Sequence, residues 1–262
     1  MLVEINLFGL PLKTFGLTYA LAFIACGALI ARRLRELGKP SDWAWEMVLA
    51  AALGGMIGAR GYFLLQNGAN GSFSQTVFSG SGLIWYGGLV GGALAVAVWA
   101  RYRGLLGLAL LDLAAPALAL GYAIGRIGCQ LSGDGDYGKP SHLPWAMGYP
   151  HGTLPTPPGV HVQPTPVYET LPMGLVALWL WRRRDAYRPG VLFAGYLLFA
   201  GTERLLIEFI RRNSHVLLGL TAAQIESLAM IVVGVAWLTL LRRSGSLRRR
   251  TSPPLGEPLP TT

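Results

Sequence analysis

The chain has 262 residues, of which 52% are hydrophobic and only 13% are charged, and its mean hydropathy is +0.44. Soluble domains carry about 25% charged residues, so this composition indicates a protein whose solvent is lipid. The net charge of +9 does not indicate nucleic acid, because the basic residues lie between apolar segments rather than on one soluble face. Two cysteines in so long a chain predict neither a disulfide framework nor a metal site.

Apolar stretches recur along the chain, and each is close to the roughly 20 residues that a helix needs to cross a bilayer. They cover residues 11–31, 42–66, 83–100, 105–128, 166–181, 189–210 and 223–241. The pattern predicts an all-α membrane protein with about seven transmembrane helices. Residues 1–245 are expected to form one polytopic membrane domain. Residues 246–262 contain little apolar surface and are expected to form a disordered cytoplasmic tail.

Lysine and arginine concentrate in alternate connections between these stretches. The first, third and fifth connections and the C-terminal tail together hold most of the 22 basic residues. Cytoplasmic loops carry such an excess, so the N-terminus is predicted to lie outside and the C-terminus in the cytoplasm. A long outer loop, residues 133–164, joins the fourth and fifth spans, and long loops of this kind are often functional.

Glycine is abundant, with 35 residues, and many glycines recur at a spacing of four. Small residues at this spacing let the backbones of neighbouring membrane helices approach closely. Close packing is therefore expected at Gly54 with Gly58, Gly87 with Gly91, Gly88 with Gly92, and Gly121 with Gly125.

Three arginines, Arg60, Arg126 and Arg204, lie inside or at the outer end of predicted spans. An arginine at the centre of a membrane helix costs about 2.5 to 3.5 kcal/mol on insertion scales, so each of them needs a compensating anion. One interpretation is a structural ion network with carboxylates of the same region. The carboxylates available are Asp134, Glu169, Glu203 and Glu208.

The other interpretation is a phosphate clamp. A guanidinium group presents a planar fork of N–H donors that matches phosphate oxygens. All three arginines are expected toward the outer half of the bilayer, where the headgroup of a lipid lies, so the pattern favours a grip on an anionic lipid. Helical spacing also places Arg204 and Glu208 on one face, with Arg211 nearby.

Several motifs, in order along the chain, resemble those of the prolipoprotein diacylglyceryl transferases. Residues 125–138 are similar to the family signature and read Gly-Arg-Ile-Gly-Cys-Gln-Leu-Ser-Gly-Asp-Gly-Asp-Tyr-Gly. Residues 85–92 are similar to the motif of its third span, residues 163–169 to its His-Pro-x-x-x-Tyr-Glu motif, and residues 201–212 to its arginine-bearing sixth span. The similarity extends over almost all of the chain before the tail.

The resemblance implies an activity and two substrates. Members of that family transfer the diacylglyceryl group of phosphatidylglycerol to the thiol of the lipobox cysteine in the signal peptide of a lipoprotein precursor. A thioether forms and glycerol 1-phosphate leaves. The resemblance also implies a multi-pass protein of the bacterial cytoplasmic (inner) membrane. The sequence contains no Walker loop, redox motif or zinc-ligand spacing, so it predicts neither a cofactor nor a metal ion.

Roles for individual residues follow from the resemblance in the same way. It implies that Arg126 and Arg204 hold the phosphate and stabilise the charge of the leaving group, and Tyr86 is a third candidate catalytic residue. Such catalysis is largely electrostatic, because the new bond forms at carbon as the phosphate departs. The other substrate-binding residues that the resemblance implies are Arg60, Gly128, Asp134, Gly138, Glu169 and Glu208.

The sequence departs from the family motifs at several polar positions. Tyr86 stands where the family usually has a histidine before two glycines, and that histidine is a candidate base for the thiol. Cys129 replaces an asparagine, Gln163 a histidine, and Phe15 a tyrosine of the first span. A thiol has a pKa of about 8.5, so it needs a base or a nearby positive charge to ionise at neutral pH.

Tyrosine is a poor base, with an ordinary pKa of about 10. Tyr86 is therefore expected to orient the substrate by hydrogen bonding while arginine charge lowers the pKa of the thiol. Other candidate proton acceptors in the outer loop are Asp134, Asp136, His151 and His161. Two alternative functions stay open: a related transferase that uses phosphatidylglycerol with a different acceptor, and a non-catalytic protein that binds or transports anionic lipid.

Overall fold

The computed structural model describes residues 3–7, 10–67 and 85–248. Within these residues the chain forms seven α-helices and two short antiparallel hairpins. The helices are α1 Thr14–Glu36, α2 Asp42–Asn67, α3 Trp85–Arg103, α4 Leu108–Ser132, α5 Thr165–Arg182, α6 Val191–Glu208 and α7 Ala222–Arg243. The hairpins pair β1 (Glu4–Leu7) with β2 (Leu10–Lys13), and β3 (His215–Leu217) with β4 (Leu220–Thr221).

Each predicted apolar stretch coincides with one of these helices, which confirms the prediction of an α-helical membrane protein. A helix pairs its own backbone N–H and C=O groups, as a chain in lipid requires. The protein is a multi-pass membrane protein. Within the described residues, four helical segments are long and apolar enough to cross a membrane: Thr14–Glu36, Asp42–Leu65, Leu108–Ser132 and Ala222–Arg243.

The predicted tail is described only at its beginning. There the backbone N–H of Arg188 donates to the carbonyl of Leu247 at 3.0 Å, so residues 246–248 lie against the connection between α5 and α6. Residues 249–262 lie outside the described residues, and the prediction of disorder for them stays a prediction.

Helices α2 and α3 pack through glycines at the predicted spacing. A Cβ atom added at Gly54 would lie 2.6 Å from the carbonyl oxygen of Gly91, and one added at Gly58 would lie 2.8 Å from the Cα of Gly91. The two backbones are therefore in direct contact. A Cβ added at Gly121 would meet the sulfur of Cys26 at 2.9 Å, whereas one at Gly125 would meet no atom of the described residues within 4 Å. The packing contact predicted for Gly125 is therefore not present among the described residues.

Successive helices alternate in direction, so their connections lie at two opposite ends of the bundle. At the end called the basic end, α1, α3 and α5 finish and α2, α4 and α6 begin. Ion pairs join the connections there: Arg33 lies 2.6 Å from Asp185, and Arg184 lies 2.8 Å from Glu36. At the opposite end, called the site end, α2, α4 and α6 finish and α3, α5 and α7 begin.

Helix α4 is central because it packs against α1 on one side and against α5 and α6 on the other. Its Asp112 also accepts hydrogen bonds from the backbone N–H groups of Gly190 and Phe193, both at 2.8 Å. These groups lie at the N-terminus of α6 and have no partner within their own helix. The carboxylate of one helix thus caps the next and fixes its start.

We expect Gly58→Ala to destabilise the protein by about 1 to 3 kcal/mol, because the added methyl group meets the Gly91 backbone of α3. Gly61→Ala on the same helix is the matched control, since a Cβ there would meet no atom within 4 Å in the part of the chain that the structure describes. The measurement is the thermal unfolding temperature of the two detergent-solubilised variants. Equal temperatures would show that α2 and α3 are not in direct backbone contact.

Candidate active site

The site end brings together charged residues from three helices. Arg126 lies near the end of α4, Glu169 near the start of α5 and Arg204 near the end of α6. Because α4 and α6 finish where α5 begins, the three side chains meet inside the bundle. The arginine side chains are 15% and 22% exposed, and the Glu169 side chain is fully buried.

The carboxylate of Glu169 is the centre of this cluster. Its Oε1 accepts hydrogen bonds from Nη1 of Arg204 at 2.9 Å and from the hydroxyl of Tyr122 at 2.8 Å. The same oxygen lies 3.4 Å from Nε of Arg126. The ring of Tyr122 also faces the guanidinium of Arg126, 5.0 Å from ring centre to Cζ. One buried oxygen therefore holds both arginines in a fixed relative position.

Asp136 attaches the long loop to the cluster. Its carboxylate forms ion pairs with Arg126 and with Arg211. Nη2 of Arg211 also donates to the backbone carbonyl of Asp136 at 3.1 Å, and the hydroxyl of Thr165 donates to the same carbonyl. The loop of residues 133–164 is thus fixed against the arginines by both the side chain and the backbone of a single residue.

The two aspartates of the loop differ in how readily they take a proton. Burial raises the pKa of Asp136, but the charges of Arg126 and Arg211 outweigh burial, so its pKa falls below the ordinary value. Burial raises the pKa of Asp134, and the neighbouring charge of Asp136 acts in the same direction. Asp136 therefore keeps its negative charge to a lower pH than Asp134 does.

Glu208 is held at the end of α6 by the segment that follows it. Its Oε1 accepts hydrogen bonds from the hydroxyl of Thr221 at 2.7 Å and from the amide of Asn213 at 2.8 Å. Its Oε2 lies 3.8 Å from Nη2 of Arg204, so the predicted pair one helical turn apart is present as an ion pair without a hydrogen bond. Arg211 lies beyond the end of α6 and pairs with the loop instead.

The cluster retains hydrogen-bonding groups that the described residues do not use. Nη2 of Arg126 and Nη2 of Arg204 make no hydrogen bond to any described residue. Buried carboxylate oxygens that accept no hydrogen bond in the same part of the chain are Oε2 of Glu169, Oε1 of Glu203 and Oε2 of Glu208. The arrangement can therefore receive a ligand that brings both phosphate oxygens and hydroxyl donors.

An apolar groove between α5 and α6 leads to this region. Its volume is about 270 Å³, and Glu203 lies in its wall. The hydroxyl of Tyr122 lies 3.4 Å from Oε2 of Glu203, so the groove reaches the residues around Glu169. The other side chains that line it are Tyr168, Pro172, Val176, Phe199, Thr202, Leu206 and Ile207.

Two further predicted residues lie on α2 and α3. Tyr86 is in the first turn of α3, is 42% exposed, and is hydrogen-bonded to the side chain of Glu226 on α7. Arg60 is on α2, with its guanidinium 5.6 Å from the ring centre of Phe63. Tyr86 therefore has a partner on α7, and its hydroxyl also lies within electrostatic range of Arg204.

The predicted glycines make close contacts. A Cβ at Gly128 would lie 3.2 Å from the Cβ of Thr18 on α1, and one at Gly138 would lie 2.8 Å from the carbonyl oxygen of Ile210. These positions let α4 approach α1, and let the loop approach the segment that follows α6. Direct contact of either glycine with substrate stays a prediction. The candidate bases His151 and His161 are exposed on the loop.

Cys129 lies beside the arginine cluster. Its sulfur is 3.8 Å from Nη1 of Arg126. The ligand atoms of Cys129, Asp134 and Asp136 lie within 4.8 Å of one another, a spacing that a cation could use. Asp136 is already neutralised by two guanidinium groups, so these side chains fit the arginine network better than a cation.

Comparison with known proteins identifies the family. The model of the family described as prolipoprotein diacylglyceryl transferase matches residues 2–240. The chain belongs to the prolipoprotein diacylglyceryl transferase family. The resemblance read from its motifs is thereby confirmed.

Curated relatives agree with this assignment to the family. The phosphatidylglycerol–prolipoprotein diacylglyceryl transferase of Clostridium tetani is 30% identical over 237 residues, which cover 89% of this chain and 94% of the relative. The enzyme of the same name from Methylococcus capsulatus is 32% identical over 249 residues, covering 87% of this chain and 91% of the relative. That of Finegoldia magna is 30% identical, covering 89% and 92%.

Two residues of this transferase-family site were not singled out as site residues from the sequence. Tyr122 precedes Arg126 by one helical turn on α4, so its spacing could have indicated a shared face. Glu226 is an acidic residue inside a predicted span, which is itself a signal of function. Nothing in the sequence indicates that Asp136 would pair with both Arg126 and Arg211.

We expect Asp136 to make the protein acid-sensitive. Because its folded pKa lies below the ordinary value of 3.8, its ion pairs stabilise the fold above that value. This stabilisation is lost as the pH falls through the folded pKa. Asp136→Asn should therefore unfold more readily than the unmodified protein at neutral pH, and the difference should vanish well below pH 3.8. Unfolding temperatures measured across that range test this, and a difference independent of pH would contradict it.

Proposed function

We propose that this member of the family transfers the diacylglyceryl group of phosphatidylglycerol to the lipobox cysteine of lipoprotein precursors, with Arg126 and Arg204 as the phosphate clamp. One observation carries the assignment of the clamp: Glu169 fixes both guanidinium groups, yet Nη2 of each makes no hydrogen bond to a described residue. Arginine pairs of this kind bind phosphate oxygens with matched geometry.

The clamp acts on the reaction electrostatically. The thiolate attacks the glyceryl carbon, the bond from that carbon to the phosphate oxygen breaks, and glycerol 1-phosphate leaves with the electron pair. Negative charge therefore grows on the phosphate in the transition state. Donors already fixed by Glu169 can stabilise that charge without reorganising, which is the most effective form of such catalysis.

The buried carboxylate oxygens that accept no hydrogen bond support phosphatidylglycerol as the donor lipid. A buried acceptor without a hydrogen bond is unfavourable, so Oε1 of Glu203 and Oε2 of Glu208 favour a ligand that brings donors. The headgroup of phosphatidylglycerol carries two hydroxyl groups beside its phosphate. The apolar groove that Glu203 helps to line supplies a surface suited to an acyl chain.

Placement in the membrane is part of the same proposal. With seven crossings, the basic end would face the cytoplasm and the site end the outside of a bacterial inner membrane. The ion pairs of Arg33 and Arg184 at the basic end are consistent with this placement. A precursor delivered with its signal peptide in the membrane would then meet the arginines at the outer surface, where its lipobox cysteine lies.

The direct test uses the purified, detergent-solubilised protein with phosphatidylglycerol and a lipobox peptide. Mass spectrometry should detect a diacylglyceryl group on the peptide cysteine. Release of glycerol phosphate without the adduct would instead indicate a different acceptor, an alternative that Tyr86 and Gln163 motivate. If neither product forms, lipid binding or transport is the function that remains.

We expect Arg126→Ala and Arg204→Ala each to lower the transfer rate by at least about 100-fold, the effect of removing one donor to a developing oxyanion. Arg101→Ala is the matched control, since Arg101 is exposed at the basic end of α3. The rate of adduct formation is measured for each variant that elutes as a folded protein. Retention of the full rate by either site variant would exclude the phosphate clamp.

We also expect a headgroup without hydroxyls to be a poor donor. Phosphatidylpropanol keeps the phosphodiester but cannot donate a hydrogen bond to the buried carboxylate oxygens, so kcat/KM should fall by roughly 100-fold or more. In Glu208→Gln the preference for phosphatidylglycerol over phosphatidylpropanol should narrow. Equal rates with both lipids in the unmodified protein would refute recognition of the headgroup by these carboxylates.

A further inference from the structure

A polar pair joins α3 to α7 beside the arginine cluster. The hydroxyl of Tyr86 is hydrogen-bonded to the side chain of Glu226, and Arg204 and Tyr62 lie within electrostatic range of that hydroxyl. Oε1 of Glu226 is buried and has no hydrogen-bond partner in the part of the chain that the structure describes. A carboxylate in an apolar membrane helix is unfavourable, so a functional reason for Glu226 is expected.

The position of Glu226 is fixed by the packing of α6 on α7. A Cβ added at Gly201 would lie 2.9 Å from the carbonyl oxygen of Ser227, so the two backbones touch one residue from Glu226. Gly201 precedes Arg204 by about one helical turn. This contact therefore places Glu226 and Arg204 at the same level of the bundle.

The start of α7 is fixed as well. Thr221 and Gln224 form a capping box, with each side chain accepting from the backbone N–H of the other at 3.2 and 3.0 Å. The hydroxyl of Thr221 also donates to Glu208 at 2.7 Å. The first turns of α7, including Glu226, are thereby tied to the end of α6.

Tyr86 is placed from the opposite side by the glycine contacts of α2 and α3. A Cβ added at the adjacent Gly87 would lie 2.6 Å from the Cβ of Tyr62, so α3 begins in close contact with α2. Tyr86 is nevertheless 42% exposed. The residue thus has a carboxylate partner and an exposed surface that a substrate could contact.

We propose that Glu226, acting through the hydroxyl of Tyr86, accepts the proton of the substrate thiol. This inference rests on the proposed function, because it names the proton path of that reaction. A tyrosine hydroxyl alone is a poor base, but it can pass a proton to a carboxylate to which it is already hydrogen-bonded. Tyr86 would touch the substrate, and Glu226 would be the positioning residue behind it.

The proton transfer and the group transfer can be written as two balanced steps. The S–H bond breaks as the Tyr86 oxygen takes the proton, and the Tyr86 hydroxyl proton passes to the Glu226 carboxylate. The sulfur then uses its electron pair to form the S–C bond, and the phosphate oxygen keeps the pair of the broken C–O bond. The proton returns from Glu226 through Tyr86 to the leaving glycerol phosphate. No oxidant, reductant or further reactant is needed.

Other carboxylates of the site are less suited to this role. Asp136 is paired with both Arg126 and Arg211, and an anion paired in this way is a weak base. Glu169 shares one oxygen between two arginines. Glu226 has a tyrosine as its partner and keeps one oxygen unused.

The test compares adduct formation by the full-length protein and its variants with phosphatidylglycerol and a lipobox peptide. Glu226→Gln should lower kcat by about 100-fold, the lower end of what a general base contributes, with little change in KM for the lipid. Glu226→Asp should recover most of the rate, because it restores a carboxylate. Tyr86→Phe should lose as much as Glu226→Gln, and combining the two should lose no more than either alone. Thr239→Val, an exposed polar position further along α7, is the matched control and should keep the full rate.

Tyr86→His separates the proton path from a structural role. An imidazole can take the proton itself, so Tyr86→His should remain active, and adding Glu226→Gln to it should cost little. An active double variant also shows that loss of Glu226 does not unfold the protein. The proton path is wrong if Glu226→Gln keeps the rate of the unmodified protein. It is also wrong if Glu226→Gln lowers the rate as much in the Tyr86→His background as it does in the unmodified background. Absence of any adduct from the unmodified protein would overturn the proposed function instead, and the proton path with it.

Discussion

A single buried carboxylate, that of Glu169, determines how the site end of this protein is built. Two guanidinium groups and a tyrosine hydroxyl converge on its Oε1. Without it, Arg126 and Arg204 would keep their separate ion pairs with Asp136 and Glu208 but would lose the one described carboxylate that pairs with both of them. With it, α4, α5 and α6 must keep one register, because the three side chains come from three different helices. The ion pairs of Asp136 then fix the loop to the same arginines.

The rest of the bundle can be understood as support for that contact. Asp112 caps α6 from α4, so the helix that carries Arg204 starts at a defined residue. Glycine contacts let α3 lie directly on α2, and the capping box at Thr221 ties α7 to the end of α6. These features act far apart along the chain but converge on one end of the bundle. Precise placement of donors depends on such support, since small displacements of a reacting group reduce rates steeply.

Much of the fold could be predicted from the sequence, because the length of an apolar stretch determines whether it can form a membrane helix. Arg126, Arg204 and Glu169 could be found because charges in apolar segments stand out and the motifs containing them resemble one family. Their partners could not, since the choice between Asp136, Glu169 and Glu208 depends on how the helices are rotated and aligned. Gly125 was assigned to packing for the same reason: a spacing of four does not say which face meets a neighbour.

The two interpretations of the arginines, an ion network and a phosphate clamp, describe different atoms of the same side chains. One edge of each guanidinium binds Glu169, while Nη2 makes no hydrogen bond to the described residues. A guanidinium has five N–H donors, so pairing with a carboxylate does not exhaust it. The pairing also keeps the arginines immobile, and a donor that is already fixed loses little entropy when an anion binds. The buried carboxylate thus stabilises the two arginines and, in the proposed clamp, holds them in place for phosphate through the same contact.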